Sequence, residues 1–193
     1  MPALRLRDPL AQLLGASADG LIDYHYADAV RLAGHSCPTV AGAWLTARTG
    51  LKALYGDEVP ERGGVAVFLP QPEDEGVSGV VGQVLTLVTG AAGRNGFHGL
   101  GGQHVRKDLL QFAQPVVAAR LRRLDTGDTV EVQLDIRPVP AEPAQAALAQ
   151  AVIRRGAGAA QHREFGRLWQ ERVRRLLLEH ADDPAVVRAR PIH

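Results

Sequence analysis

The sequence predicts an α+β domain with a mixed, largely antiparallel sheet and a C-terminal helical extension. Two segments of helical periodicity precede the first strand, and an apolar helix follows that strand. The remaining strands then come in succession, behind a glycine-dense loop, rather than alternating strictly with helices. The whole chain, 1–193, is expected to form one domain, with a core over about 21–137 and a helical tail over about 143–181.

The first helix is expected over Leu21 to Ala33, where Ile22, Tyr26, Ala29 and Ala33 recur at helical spacing and Gly34 is placed to end it. After the link His35-Ser36-Cys37, Pro38 is suited to open a second helix, which runs to about Tyr55. Its Ala41, Gly42, Ala43 and Ala47 allow close packing against a neighbour. Val65 to Leu69 reads as a buried strand stopped by Pro70, and an acidic turn through Glu73-Asp74-Glu75 follows. Val77 to Val88 is apolar nearly all round and predicts a helix buried on most sides, with Gln83 the polar exception.

Gly90 to Gly102 is a long loop, of a length where function is commoner than mere connection. His104 to Phe112 and Val116 to Leu121 are strand candidates. Thr129 to Ile136 alternates apolar and polar residues, the period of a half-buried strand, after a turn through Asp125 to Asp128. Pro138 to Pro143 reads as a linker, Ala144 to Arg155 as a helix, and Gln161 to His180 as another. In the last, Phe165, Trp169, Val173 and Leu176 form a stripe that could dock on the domain or on a second copy.

Composition bounds the partners. With 22 basic against 21 acidic residues the net charge is +1, which gives no bulk electrostatic reason to seek nucleic acid or acidic membranes. At 46% hydrophobic and 22% charged the chain is globular rather than disordered. A single cysteine removes any intramolecular disulfide. The N-terminal segment lacks the apolar core of a signal peptide, and no apolar run approaches the roughly 20 residues of a membrane span. The expected compartment is the cytoplasm.

The chemically pointed segment is Gly34-His35-Ser36-Cys37-Pro38. An imidazole and a thiol two residues apart in non-helical backbone can project to one side and grip one ion, and this donor pair suits zinc and its late first-row neighbours. If Pro38 is the first helical residue, Cys37 is the N-cap, where free N–H groups and the helix dipole favour the thiolate a metal requires. The plainer alternative makes Cys37 a small buried hydrophobe and His35 a hydrogen-bonded loop residue.

The stretch from Leu21 to Tyr55, with Leu32-Ala33-Gly34-His35-Ser36-Cys37-Pro38 inside it, resembles the opening of the FmdE-type metal-binding family, a component of formylmethanofuran dehydrogenase. There a helix precedes a His-Gly-His-x-Cys-Pro-Gly segment and a second helix of small residues. The similarity continues through Val77 to Gly90, which resembles the family's helix ending in Thr-Gly, and covers roughly Leu21 to Phe112. The resemblance implies a metal-binding domain, usually for zinc, and a homodimer. It further implies a fold similar to the second domain of glyceraldehyde-3-phosphate dehydrogenase: α-β-α followed by three strands.

Three departures bear on the metal shell. Ala33 stands at the family's first histidine and Thr39 at its glycine, and Val77 and Val80 replace a cysteine and an aspartate. A structural zinc site needs four ligands and a catalytic one about three plus water. The preferred additions to His35 and Cys37 are therefore His98 and His104, with Asp74, Glu75 and His25 as alternatives.

Other motifs fall away. Gly90 to Gly96 lacks the Lys-Ser/Thr ending of a phosphate loop and follows a helix. No nucleophile signature surrounds Cys37, and one cysteine excludes the zinc-deaminase pattern. Arg172, Arg174 and Arg175 read as the solvated face of the last helix. Three functional expectations remain, in order. The first is a metal-carrying or regulatory partner of an oxidoreductase, and the second a free-standing metalloenzyme whose ion activates water. The third is a metal-free interaction domain docking through its last helix.

Overall fold

Helix α3 (Pro38–Tyr55) is the hub of the fold, and small residues let it be so. Pro38 starts it at the position where a missing N–H costs nothing. In the computed structural model, which describes residues 1–192, most of α3 is buried, with Val40, Trp44, Leu45 and Ala47 fully so. Gly42 and Gly50 face the sheet. A Cβ at Gly42 would lie 2.5 Å from Leu134 Cδ2, and one at Gly50 2.7 Å from Leu121 Cδ2. The helix therefore rests flush on the strands.

The sheet beneath it has five strands in the order β4-β3-β5-β6-β7: Leu110–Gln111, Val65–Phe68, Ala119–Arg123, Thr129–Leu134 and Val187–Ile192. Only the β3–β4 pair is parallel, which suits a crossover through α4 (Ser78–Thr89). The fold is α+β with a mixed sheet, as the succession of late strands predicts. Leu121, Val130 and Val132 point at α3, with Val67 on the same sheet face, and α4 and α6 (Ala159–Leu178) also pack on that helix. α5 (Pro143–Ile153) leans on α6.

Several elements differ from their sequence reading. Leu21 to Ala33 is a strand and a shorter helix: β2 (Leu21–Tyr24) pairs with β1 (Leu4–Arg7), and α2 spans Tyr26–Ala33. The local reason is His25, whose N–H donates to the Asp28 carboxylate at 2.8 Å and starts the helix there. The core also begins earlier than residue 21, since Leu6 of β1 is fully buried, and it reaches Val186 and Val187 near the end. The strand expected over His104 to Phe112 shrinks to Leu110–Gln111, because His104 and Asp108 take left-handed backbone (φ 57° and 61°).

The stripe of the last helix docks on the domain itself, one of the two outcomes expected for it, whereas Arg172 is only partly exposed and not simply part of a solvated face. Its guanidinium donates to the Val139 carbonyl at 2.8 Å and to that of Ile136 at 3.4 Å, capping the polar backbone of the linker.

One carboxylate ties the N-terminal unit to the rest. Asp8 caps α1 (Pro9–Leu13), accepting from the amides of Leu10 and Ala11 at 3.0 and 3.1 Å. It also accepts from Arg62 at 2.9 Å and Arg106 at 2.7 Å. Arg106 is buried against Gly63, where a side chain would occupy the guanidinium's space. Burial pushes the Asp8 carboxyl up, but the Arg62 hydrogen bond, the Ala11 amide and the two guanidinium charges outweigh it and hold the group below its ordinary range.

Both the ion pair and the glycine seating can be tested by substitution. Asp8→Asn should cost about 3 kcal/mol at pH 7, the scale for breaking a buried ion pair. Because the folded carboxyl titrates below its reference value of 3.8, its stabilisation is complete above that pH and fades as pH falls further. Urea midpoints of wild type and Asp8→Asn should therefore converge in that acid range; a gap that stays constant with pH refutes the ion-pair account. For the glycines, Gly50→Ala should destabilise by about 1–3 kcal/mol because Leu121 is walled in by the core. Gly42→Ala should change stability by under about 1 kcal/mol, since the half-exposed Leu134 can swing away and alanine is the better helix former. Equal costs in urea melts would contradict the seating described.

Candidate metal centre

His35, Ser36 and Cys37 bridge α2 and α3, and the bridge is short because Gly34 reverses the chain in left-handed backbone (φ 74°). Cys37 is the N-cap of α3, as the proline predicts. Its side chain is buried, with 7% exposure, and its sulfur accepts from the Val40 amide at 3.4 Å. His35 is exposed. Its Nδ1 lies 2.9 Å from the Ala33 carbonyl oxygen, which can only accept, so Nδ1 carries the proton. In the neutral ring, the lone pair is then on Nε2.

The residue between them is held from both sides. The Ser36 hydroxyl shares a hydrogen bond of 3.0 Å with the Tyr26 hydroxyl. The Ser36 carbonyl accepts from Trp169 Nε1 at 3.2 Å and from Gln170 Nε2 at 3.0 Å, both on α6. Burial pushes the Tyr26 phenol up, so it stays neutral, and its ring meets Trp44 edge-on at 6.2 Å. Trp169 appears in the sequence only as part of an apolar stripe. Its indole N–H pairs with a backbone carbonyl distant in the chain, which no local pattern reveals.

The other proposed donors do not gather here. Tyr55, at the far end of α3, adjoins Gly64, and the Gly63 amide donates to the Thr89 carbonyl at 2.7 Å. The glycine-dense loop leaves from that point and is held there by bonds such as Arg106 N–H to Phe97 O, at 2.9 Å. His98 and His104 therefore belong to the end of α3 opposite Cys37, and 18 helical residues span about 27 Å. Asp74 and Glu75 are exposed in the turn between β3 and α4, and His25 is an exposed N-cap. Among the described residues, no three His, Cys, Asp or Glu side chains are grouped to hold a metal ion. One chain thus offers two donors of the right chemistry, short of the three or four that zinc takes.

No protein-family model matches the chain, and no curated protein matches it either. No helix of the described residues is long and apolar enough to cross a membrane.

The α6 clamp on Ser36 predicts how Cys37 reacts. The wild-type thiol should react slowly with a disulfide reagent such as Ellman's, because burial limits access. The double variant Trp169→Phe, Gln170→Ala leaves the Ser36 carbonyl without its two side-chain donors. It should lose about 1–3 kcal/mol, and its thiol should react faster by about tenfold or more. An unchanged rate shows that α6 does not hold the segment.

Proposed function

We propose that this chain is a metal-binding protein in which His35 and Cys37 are two donors of a centre completed by His98 and His104 of a second copy. The observation that carries the reading is the hydrogen bond from His35 Nδ1 to the Ala33 carbonyl. A metal-ligating histidine is characteristically oriented by such a bond on its other nitrogen, which fixes the tautomer and presents the free lone pair. Beside it, Cys37 is held by the Val40 amide at the N-terminus of α3, and Ser36 is clamped from α2 and α6.

What supports the second copy is the shape of the chain. His35 and Cys37 are at one end of α3 and the loop bearing His98 and His104 leaves from the other, so within one molecule the four are not grouped. Across a two-fold axis the same pairs can meet twice, since a two-fold interface repeats every contact. Two pairs together supply four nitrogen and sulfur donors, the set of a closed zinc site, which favours a structural or carrier role over water activation. The resemblance to the formylmethanofuran dehydrogenase component extends the reading to a metal-carrying or regulatory partner of an oxidoreductase.

Elemental mass spectrometry and light scattering test it together. Wild type should carry about one zinc or similar ion per chain, the load of a closed four-donor site. It should also run as a dimer that dissociates with a chelator. His35→Ala, Cys37→Ser, His98→Ala and His104→Ala should each lose the ion. Metal-free wild type overturns the reading and leaves an interaction domain. Ion retained in the His98 and His104 variants overturns the second-copy completion.

A further inference from the structure

The sheet has a second face. Side chains that alternate with Leu121, Val130 and Val132 point away from α3, and the register sets Phe68, Arg120, Glu131 and Arg190 in one row. Ala66, Arg122, Thr129 and Ile192 form the next. With Arg188, four arginines share this face with the single carboxylate of Glu131, an excess larger than the whole chain's +1.

That carboxylate is already engaged. One Glu131 oxygen accepts from Arg190 at 3.0 and 2.6 Å, and the other lies 3.5 Å from Arg120. Arg188 donates to Gln133 at 3.0 and 2.7 Å. Arg120 keeps an Nε that is shielded from water and has no partner. Arg122 is exposed, has no ion-pair partner among the described residues, and lies 5.4 Å over the Phe68 ring.

These two incompletely neutralised guanidiniums flank a hollow of ≈ 460 Å³ whose walls include Phe68, Val116 and Ile192. The volume lies in the range of about 300–1,000 Å³ usual for small-molecule sites. Arg120 and Arg122 stand two residues apart on one strand face, about 7 Å at the backbone, so both forks can reach one group bearing several oxygens. The geometry points to a binding site for a small organic phosphate: Arg120 and Arg122 hold the phosphate, and Phe68, Val116 and Ile192 meet the apolar body. A guanidinium matches phosphate bidentately, and the apolar walls select an ester over the free ion. This site lies on the opposite face of the sheet from α3 and does not depend on the His35–Cys37 reading.

The test is an NMR titration of the full chain at low salt with phenyl phosphate, inorganic phosphate and phenol. Phenyl phosphate should bind the tightest of the three and shift resonances of β5 and β6 around Arg122 and Thr129. Arg122→Gln, which breaks no ion pair, should keep the wild-type urea midpoint and weaken phenyl phosphate by about tenfold, as expected for losing one bidentate charge-assisted contact. Arg188→Gln, on the same face outside the hollow, and Cys37→Ser should leave binding unchanged. No binding by wild type, or equal weakening by Arg122→Gln and Arg188→Gln, overturns the site. Tighter binding of a single-stranded oligonucleotide on this face would also overturn it, in favour of a polyanion surface.

Discussion

Everything in this protein is arranged around the contact between α3 and the sheet. Two missing side chains, at Gly42 and Gly50, let the helix backbone approach Leu134, Leu121 and Val132 closely. Close approach brings more atoms into van der Waals range and empties the interface of water, which is where a domain of this size draws most of its stability. α2, α4 and α6 then pack on the remaining sides of the same helix. Because α3 is fixed against the strands, both of its ends are fixed too, and each end positions a different set of chemically capable residues.

The N-terminal end carries His35, Ser36 and Cys37. A three-residue link between two helices is too short to build a pocket, and its geometry is imposed from outside by Tyr26, Trp169 and Gln170. That arrangement brings one imidazole and one thiol to the link, and no further His, Cys, Asp or Glu among the described residues is grouped with them. The C-terminal end carries the loop with His98 and His104, held through Arg106 and Asp8. A carboxylate that caps one helix while pairing two guanidiniums makes the first turn of the chain and the glycine-dense loop parts of one structure.

Charge is distributed as unevenly as it is balanced overall. The near-neutral total conceals a sheet face on which arginines outnumber the single glutamate, while acidic residues such as Glu73, Asp74 and Glu75 lie in an exposed turn elsewhere. Net charge averages over the surface, whereas binding depends on the local field. Arg120 and Arg122 alternate with Leu121, and Arg188 and Arg190 with Ala189; both patterns are visible in the chain as a period of two. What they signify depends on β7 pairing beside β6, which puts the two arginine pairs on one surface.

The class of fold, the course of α3, α4 and α6, the strands β3 and β6, and the capping position of Cys37 were all legible in the chain. These depend on local facts: apolar periodicity, a proline at a helix start, a glycine at a helix end. Leu21 to Tyr24 is a strand where the periodicity predicts a helix, because Ile22 fits a helix's period with Tyr26 and a strand's alternation with Tyr24, and pairing with β1 is what decides between them. β7 is not legible in the chain, since a proline and two arginines hide a strand that is completed by its neighbour. Packing, and nothing local, put His98 and His104 at the other end of α3 from Cys37, set Trp169 against a backbone carbonyl, and gathered four arginines on a face. Those are relations between residues distant in the chain, set by how the elements meet, and local sequence carries no record of distance in space.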